Sequence, residues 1–153
     1  MMTTLHGPGV VTVLHFPDAQ GEPLTTAGAD SVIVVPRLGG RLLMVMNKGR
    51  SGWEFPGGKV TPGEEPEAAA RREVAEEAGA SLGELAVVCT YLLRKGDLVS
   101  RGAVYSADVI GLGERTDTET IEEVSLFEKV PPHISFADGF VELMFGMFGE
   151  AKA

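Results

Sequence analysis

One stretch constrains this chain more than any other: Glu65-Pro66-Glu67, then Ala68 through Ala78, closed by Gly79. Proline stands in the first turn, where its missing N–H costs nothing, and glycine stands just past the last turn, so both ends of a helix are written into the sequence. On that helix Glu73, Glu76 and Glu77 follow the spacing i, i+3, i+4, which at 3.6 residues per turn lines three carboxylates along one narrow face. Left alone they repel. Arg72 lies four residues before Glu76 and is placed to neutralise and orient that carboxylate, yet one arginine does not balance three acids. A divalent cation would. Ala70, Val74 and Ala78 form the adjoining stripe suited to packing on a sheet. Ala69, one turn before Glu73, is expected on the acidic side, leaving room for ions or a loop.

Around this helix, Gly and Pro divide the chain into short β-prone runs at residues 10–16, 31–35, 41–46, 85–94, 98–109 and 124–128. Lys95, Gly96 and Asp97 supply turn chemistry between the fourth and fifth runs, which predicts an antiparallel hairpin. A second helix is predicted over 136–148, where Phe136, Phe140, Leu143 and Met147 recur at helical spacing. Strands on both sides of a helix, with a closing helix, indicate an α/β fold with a mixed, partly antiparallel sheet. The 153 residues, 44% of them hydrophobic, suffice for one core, and with no linker or repeat the expectation is a single domain over 1–153. No apolar run reaches the roughly 18 residues of a membrane span. Nothing near the N-terminus resembles a secretory signal, and the single cysteine, Cys89, forms no intrachain disulfide, so a cytoplasmic protein without a membrane partner is expected. Cys89 itself reads as a packing residue in an apolar strand.

The net charge of −9 argues against charge-driven nucleic-acid binding, which needs a basic footprint, so no stable nucleic-acid partner is expected. It leaves room for a phosphorylated substrate held through cations. Upstream of the helix, Trp53-Glu54-Phe55-Pro56-Gly57-Gly58-Lys59 reads as a short apolar strand ending in a glycine-rich turn that brings bare backbone close to the helix. A backbone carbonyl there is a candidate hard ligand, and Glu64 could reach the same ion from the following loop. Lys48, Arg50 and Lys59 flank this turn and are candidate phosphate contacts, with surface solubility as their plain alternative. Trp53, Tyr91 and Phe127 could stack on a base or simply pack in the core. His6, His15 and His133 show no ligand spacing.

Together these residues resemble the Nudix box. Its pattern is Gly, five residues, Glu, seven residues, Arg-Glu, an aliphatic, one residue, Glu-Glu, one residue, Gly, an aliphatic. Gly58, Glu64, Arg72, Glu73, Val74, Glu76, Glu77 and Gly79 stand in register, and with average residue usage seven such identities at fixed spacing arise by chance on the order of once in a million. The one departure is Ala80, where the family usually carries Ile, Leu or Val; packing there should weaken while the chemistry stays. Beyond the box, residues 53–59 look like the corresponding segment of MutT-type nucleoside triphosphatases. Glu119-Thr120, residues 124–127 and Ile134-Ser135-Phe136 are similar to the YtkD-like branch of that group.

The resemblance implies a Nudix-type α/β/α sandwich and an Mg²⁺-dependent hydrolase, with Mn²⁺ an alternative metal. It implies metal ligands at Glu73, Glu76, Glu77 and the Gly57 carbonyl. Glu73 doubles as a candidate base and Arg72 orients Glu76. A further carboxylate from a later loop or strand is expected, with Glu119 preferred over Glu122 and Glu123, against the plain alternative that the acid-rich run 117–123 is a solvated loop. Lys48, Arg50, Lys59 and Phe127 are the expected substrate contacts. The implied reaction is hydrolysis of a nucleoside triphosphate to the monophosphate and pyrophosphate, with 8-oxo-dGTP a candidate substrate. Triphosphorylated RNA ends, dinucleoside polyphosphates and ADP-ribose are the alternatives within hydrolases. A non-catalytic nucleotide-binding regulator is the alternative outside them, disfavoured because the helix keeps all its acids. Base preference and oligomeric state are not encoded legibly.

Overall fold

The computed structural model describes residues 1–18, 20 and 24–149. The elements run β1 (Met2–Gly7), β2 (Val10–His15), β3 (Ser31–Leu38), β4 (Arg41–Asn47), β5 (Gly52–Glu54), β6 (Gly57–Lys59), α1 (Pro66–Ala78), β7 (Ala80–Leu82), β8 (Ala86–Lys95), β9 (Leu98–Leu112), β10 (Ile121–Phe127) and α2 (Phe140–Phe148). The sheet follows the order β1-β2-β8-β9-β3-β4-β10, with β5 on β4, β6 on β3 and β7 on β9. The β3–β9 pair is parallel and the rest of the named pairs are antiparallel, which makes the sheet mixed as expected.

The central strands are buried on both faces, and the pleat divides their side chains between two cores. Val32 and Val34 of β3, Leu43 and Val45 of β4, and Ala103 and Tyr105 of β9 meet Ala69, Ala70 and Val74 of α1 on one side. Val35, Leu42, Met44 and Val104 meet Val141, Met144 and Phe145 of α2 on the other. The result is an α/β/α sandwich. Each fully buried Leu, Val or Met contributes about 1.5–3 kcal/mol of transfer free energy.

α1 matches its sequence signals: Pro66 opens it, and Gly79 closes it at φ 67°, donating its N–H to the Ala75 carbonyl. Four expectations require correction. Ala69 is fully buried against the sheet, so the packing face of α1 is wider than the three-residue stripe and no space is left there for an ion. α2 begins at Phe140, not at 136, because Gly139 adopts φ 93° and the Asp138 carboxylate accepts the Phe140 N–H at 3.0 Å. Phe136 therefore lies outside the helix, half exposed. The glycine-rich turn is itself a strand, with Gly57 opposite Ile33 and Gly58 opposite Val32. The N-terminal strand β1 was not expected; it folds back on β2 through Pro8-Gly9, with Gly9 at φ 72°. Proline followed by a left-handed glycine suits a type II turn, which signals hairpins weakly. Ala80 is 3% exposed within the first core, so the box position that departs from the family pattern is a packing position. Cys89 is fully buried in the second core, and burial pushes its thiol up to about 12.

Candidate active site

The helix α1 presents its acids where β6 passes beneath it. A Cβ on Gly58 would lie 2.5 Å from the Glu73 carboxylate, so this carboxylate rests on bare backbone. One residue earlier, Gly57 donates its N–H to Glu77 Oε1 at 2.9 Å. The i, i+4 face that holds Glu73 and Glu77 is thus docked onto the two glycines that the sequence placed beside it.

Arg72 organises the rest. Its Nε and Nη2 grip Glu64 as a fork, at 2.8 and 3.0 Å, while Nη1 reaches Glu73 Oε1 at 2.9 Å and Glu76 Oε2 at 3.3 Å. Nη2 also donates to the Lys59 carbonyl at 3.0 Å. The expected Arg72–Glu76 contact exists, but it is the longest of these; Glu64 is the main partner. Glu64 also accepts the Thr61 N–H and hydroxyl, and the Arg72 guanidinium holds its carboxyl down to about 2. Rather than projecting toward an ion as the sequence suggested, Glu64 ties the preceding loop to the arginine.

The remaining charge is poorly compensated. Burial pushes Glu77 up to about 8, the Gly57 N–H offsets part of this, and the neighbouring charges of Glu73, Glu54 and Asp117 add to it. Burial also raises Glu73, against the opposing pull of Arg72. Carboxylates are hard oxygen donors, and a group of them in which burial disfavours the charged form of Glu73 and Glu77 is the chemistry that suits Mg²⁺ or Mn²⁺. Among the described residues no three acidic side chains are drawn into a closed cage as they stand, and Arg72 engages both Glu73 and Glu76. In kind, carboxylates beside a backbone carbonyl, the donor set has the chemistry of a divalent-ion site.

Two acids in this environment escaped the sequence reading. Glu54 is gripped by Arg50 through two hydrogen bonds at 2.7 and 3.0 Å. Asp117 belongs to a loop whose Thr116 and Asp117 N–H groups both donate to the Glu76 carbonyl, the latter at 2.8 Å. Carbonyls near a helix end lack helical partners and accept such docking readily. Asp117 also accepts the Thr120 N–H and hydroxyl at 2.9 Å. Glu119, the first choice among the late acids, is exposed on this loop, as are Glu122 and Glu123 on β10. The acid-rich run announced the loop, but only its docking shows which acid faces inward.

A cavity of about 660 Å³ opens beside this centre. Glu54, Gly57 and Gly58 border it at the acidic end, while Leu5, Thr12, Leu14, Tyr91 and Leu93 contribute from β1, β2 and β8. The segment before α2 completes it with Ser135, Phe136 and Asp138. That segment is fixed to β5, since Trp53 donates its N–H to the His133 carbonyl and accepts the Ser135 N–H. A volume of this size, mostly apolar with a few polar groups, suits a nucleoside.

Of the four expected substrate contacts, Arg50 lines the cavity, with Phe136 stacked 5.1 Å from its guanidinium. Lys48 instead donates to the Thr118 carbonyl at 2.8 Å, anchoring the acidic loop. Lys59 is exposed outside the cavity lining. Phe127 packs edge-on against Trp53, ring centroids 4.8 Å apart, and Trp53 is 8% exposed; both are packing residues. Tyr91 does border the cavity, buried but for its edge.

The model of the NUDIX domain matches residues 26–139. YtkD of Bacillus subtilis (strain 168), provisionally named an 8-oxo-dGTP diphosphatase, is 38% identical over 104 residues, covering 68% of this chain and 65% of YtkD. An RNA pyrophosphohydrolase of Proteus mirabilis is 36% identical over 58 residues, covering 38% of this chain and 33% of its own length. The chain thus spans less than two thirds of either relative. Among solved structures, a mutant of the Bacillus subtilis pyrophosphohydrolase BsRppH superposes with a TM-score of 0.75 at 31% identity, covering 94% of this chain and 89% of that one. A MutT NUDIX hydrolase from Burkholderia pseudomallei, at 22% identity and TM-score 0.64 over 76% of this chain and 94% of its own, shares the fold. With the family model spanning residues 26–139, most of the chain and the whole of the box, this protein is a member of the NUDIX family.

Proposed function

We propose that this chain hydrolyses a diphosphate linkage in a nucleoside triphosphate, releasing the nucleoside monophosphate and pyrophosphate. The observation that carries the reading is the juxtaposition of the part-buried Glu73 and Glu77 carboxylates, resting on Gly58 and Gly57, with a nucleoside-sized cavity bordered by the same two glycines. Glu73, Glu76, Glu77 and the Gly57 carbonyl would hold Mg²⁺ or Mn²⁺. Such an ion supplies Lewis-acid neutralisation of the phosphate charge. Arg72 binds Glu73 through Oε1, which leaves Oε2 to accept the proton of the attacking water. Arg50, at the cavity edge, is the cation best placed for phosphate once it exchanges Glu54 for substrate. Asp117 is the late acid whose charge already reaches Glu77; Glu119 would need the loop to turn inward. The likeness to YtkD supports oxidised purine triphosphates such as 8-oxo-dGTP as substrates. The likeness to an RNA pyrophosphohydrolase supports a second reading, removal of pyrophosphate from triphosphorylated RNA ends.

Pyrophosphate release from a panel of nucleoside triphosphates with Mg²⁺ or Mn²⁺ tests the reading, comparing the native protein with Glu76→Gln. The variant should lose about tenfold to a hundredfold, the scale on which disturbed metal sites lose activity. Equal release from both proteins removes the catalytic assignment.

A further inference from the structure

At the acidic end of the cavity, Arg50 and Glu54 form an ion pair whose two members are unequally free. Arg50 Nε and Nη2 both donate to the Glu54 carboxylate, at 3.0 and 2.7 Å. The arginine side chain is 49% exposed and the glutamate side chain 13%. Asn47 Oδ1 accepts the Arg50 N–H at 3.0 Å, which fixes the backbone there, so the guanidinium leaves by turning its side chain alone. Glu54 cannot follow it. It stands on β5 opposite Val45 of β4, and among the described residues no donor other than Arg50 reaches its carboxylate.

Taking one partner from such a pair leaves the other as an uncompensated charge, and the cost is greater the deeper that charge lies. A phosphate that draws Arg50 away therefore leaves the cost on Glu54, and it does so beside other acids. Glu54 and Gly57 border the same cavity, and Gly57 donates to Glu77. The Glu77 charge also acts on Arg50, and the Glu54 charge on Glu77. Exchange of Arg50 from carboxylate to phosphate is thus favoured when another cation compensates Glu54, and the divalent ion of the adjoining acids is the cation at hand.

We propose that Glu54 is a further carboxylate of the metal centre, masked by Arg50 in the free protein and unmasked when Arg50 turns to a substrate phosphate. The pair then couples the ion to the substrate, since Arg50 serves one anion at a time and Glu54 one cation at a time. The inference rests on the hydrolase reading above and adds to it a residue and a coupling. Deleting either member should free the other for its own ligand: without Arg50, Glu54 is open to a divalent ion, and without the Glu54 charge, Arg50 is open to phosphate. Removing a charge also acts at a distance on every ion nearby, so the double variant is needed to separate the pair from the general field.

Calorimetry with Mn²⁺ alone, and separately with GMP in the absence of metal, reads the pair without turnover. Arg50→Ala should bind Mn²⁺ about tenfold more tightly than the native protein, the scale of one charge-assisted hydrogen bond released. Glu54→Gln should bind GMP more tightly by a similar factor. Arg50→Ala/Glu54→Gln should show neither gain. Absence of either gain in its single variant overturns the inference, as does a gain that survives in the double variant, which would make it an effect of net charge. Circular dichroism checks that each variant is folded, and Arg50→Gln takes the place of Arg50→Ala if the latter does not fold. Both gains in a protein that releases no pyrophosphate from any triphosphate would sink the hydrolase reading and leave the role of the pair standing, whereas turnover without the gains would do the reverse.

Discussion

At the scale of single residues, Glu77 is where packing and chemistry conflict. Its carboxyl would ionise near 4.5 in an unfolded chain and is pushed up to about 8 in the fold. Between those values the folded state holds a proton that the unfolded state has released, so this group makes the metal-free protein less stable as pH rises from about 4.5 to 8. A divalent ion favours the ionised form and must displace that proton below about pH 8. Thermal melting with and without Mg²⁺ should show a larger metal-induced rise at pH 8.5 than at pH 6, on the order of several degrees. An equal rise at both values would remove Glu77 from the ligand set. Arg72 is the other decisive residue, because its fork on Glu64 needs a planar guanidinium. Arg72→Lys keeps the charge and loses the fork, so turnover should fall about tenfold or more while the fold persists. Turnover and circular dichroism measured together check this, and an unchanged rate would reduce Arg72 to a charge.

At the scale of elements, the docking of α1 on β6 separates two adjacent glycines that the sequence cannot distinguish. A Cβ on Gly58 would meet the Glu73 carboxylate, the far end of a flexible side chain, whereas one on Gly57 would meet the Val32 backbone. Gly58→Ala should therefore fold with a loss under about 1 kcal/mol but displace Glu73 and weaken metal-dependent activity. Gly57→Ala should lose about 2 kcal/mol or more, since backbone must shift in a paired strand. Urea unfolding of both variants, beside their turnover, reads the contrast; similar stability losses would mean that β6 yields more easily than its pairing suggests.

Over the whole molecule, the two cores do different work. α1 closes the first core and carries the acids, while α2 closes the second and supplies Phe140 and Val141 to the cavity. Met144 is fully exchanged from solvent into that second core. Met144→Ala should cost about 2–5 kcal/mol, and because α2 shapes the cavity its effect on KM should exceed its effect on kcat. Denaturant unfolding with steady-state kinetics checks both, and a change confined to kcat would tie α2 to the acidic centre instead.

The sequence by itself determined what depends on neighbours along one element. Pro66 and Gly79 bounded α1, the i, i+3, i+4 spacing put Glu73, Glu76 and Glu77 on one edge, and the Lys95-Gly96-Asp97 turn paired β8 with β9. These are local signals, set by helical period and backbone sterics. The tertiary structure alone decided which partners meet across distance. It gave Arg72 to Glu64 before Glu76, brought Glu54 and Asp117 toward Glu77, and engaged Lys48 with the acidic loop. It also built the cavity from β1, β2 and the segment before α2. Those choices follow from strand order and burial, which couple residues tens of positions apart and leave no periodic trace in the chain.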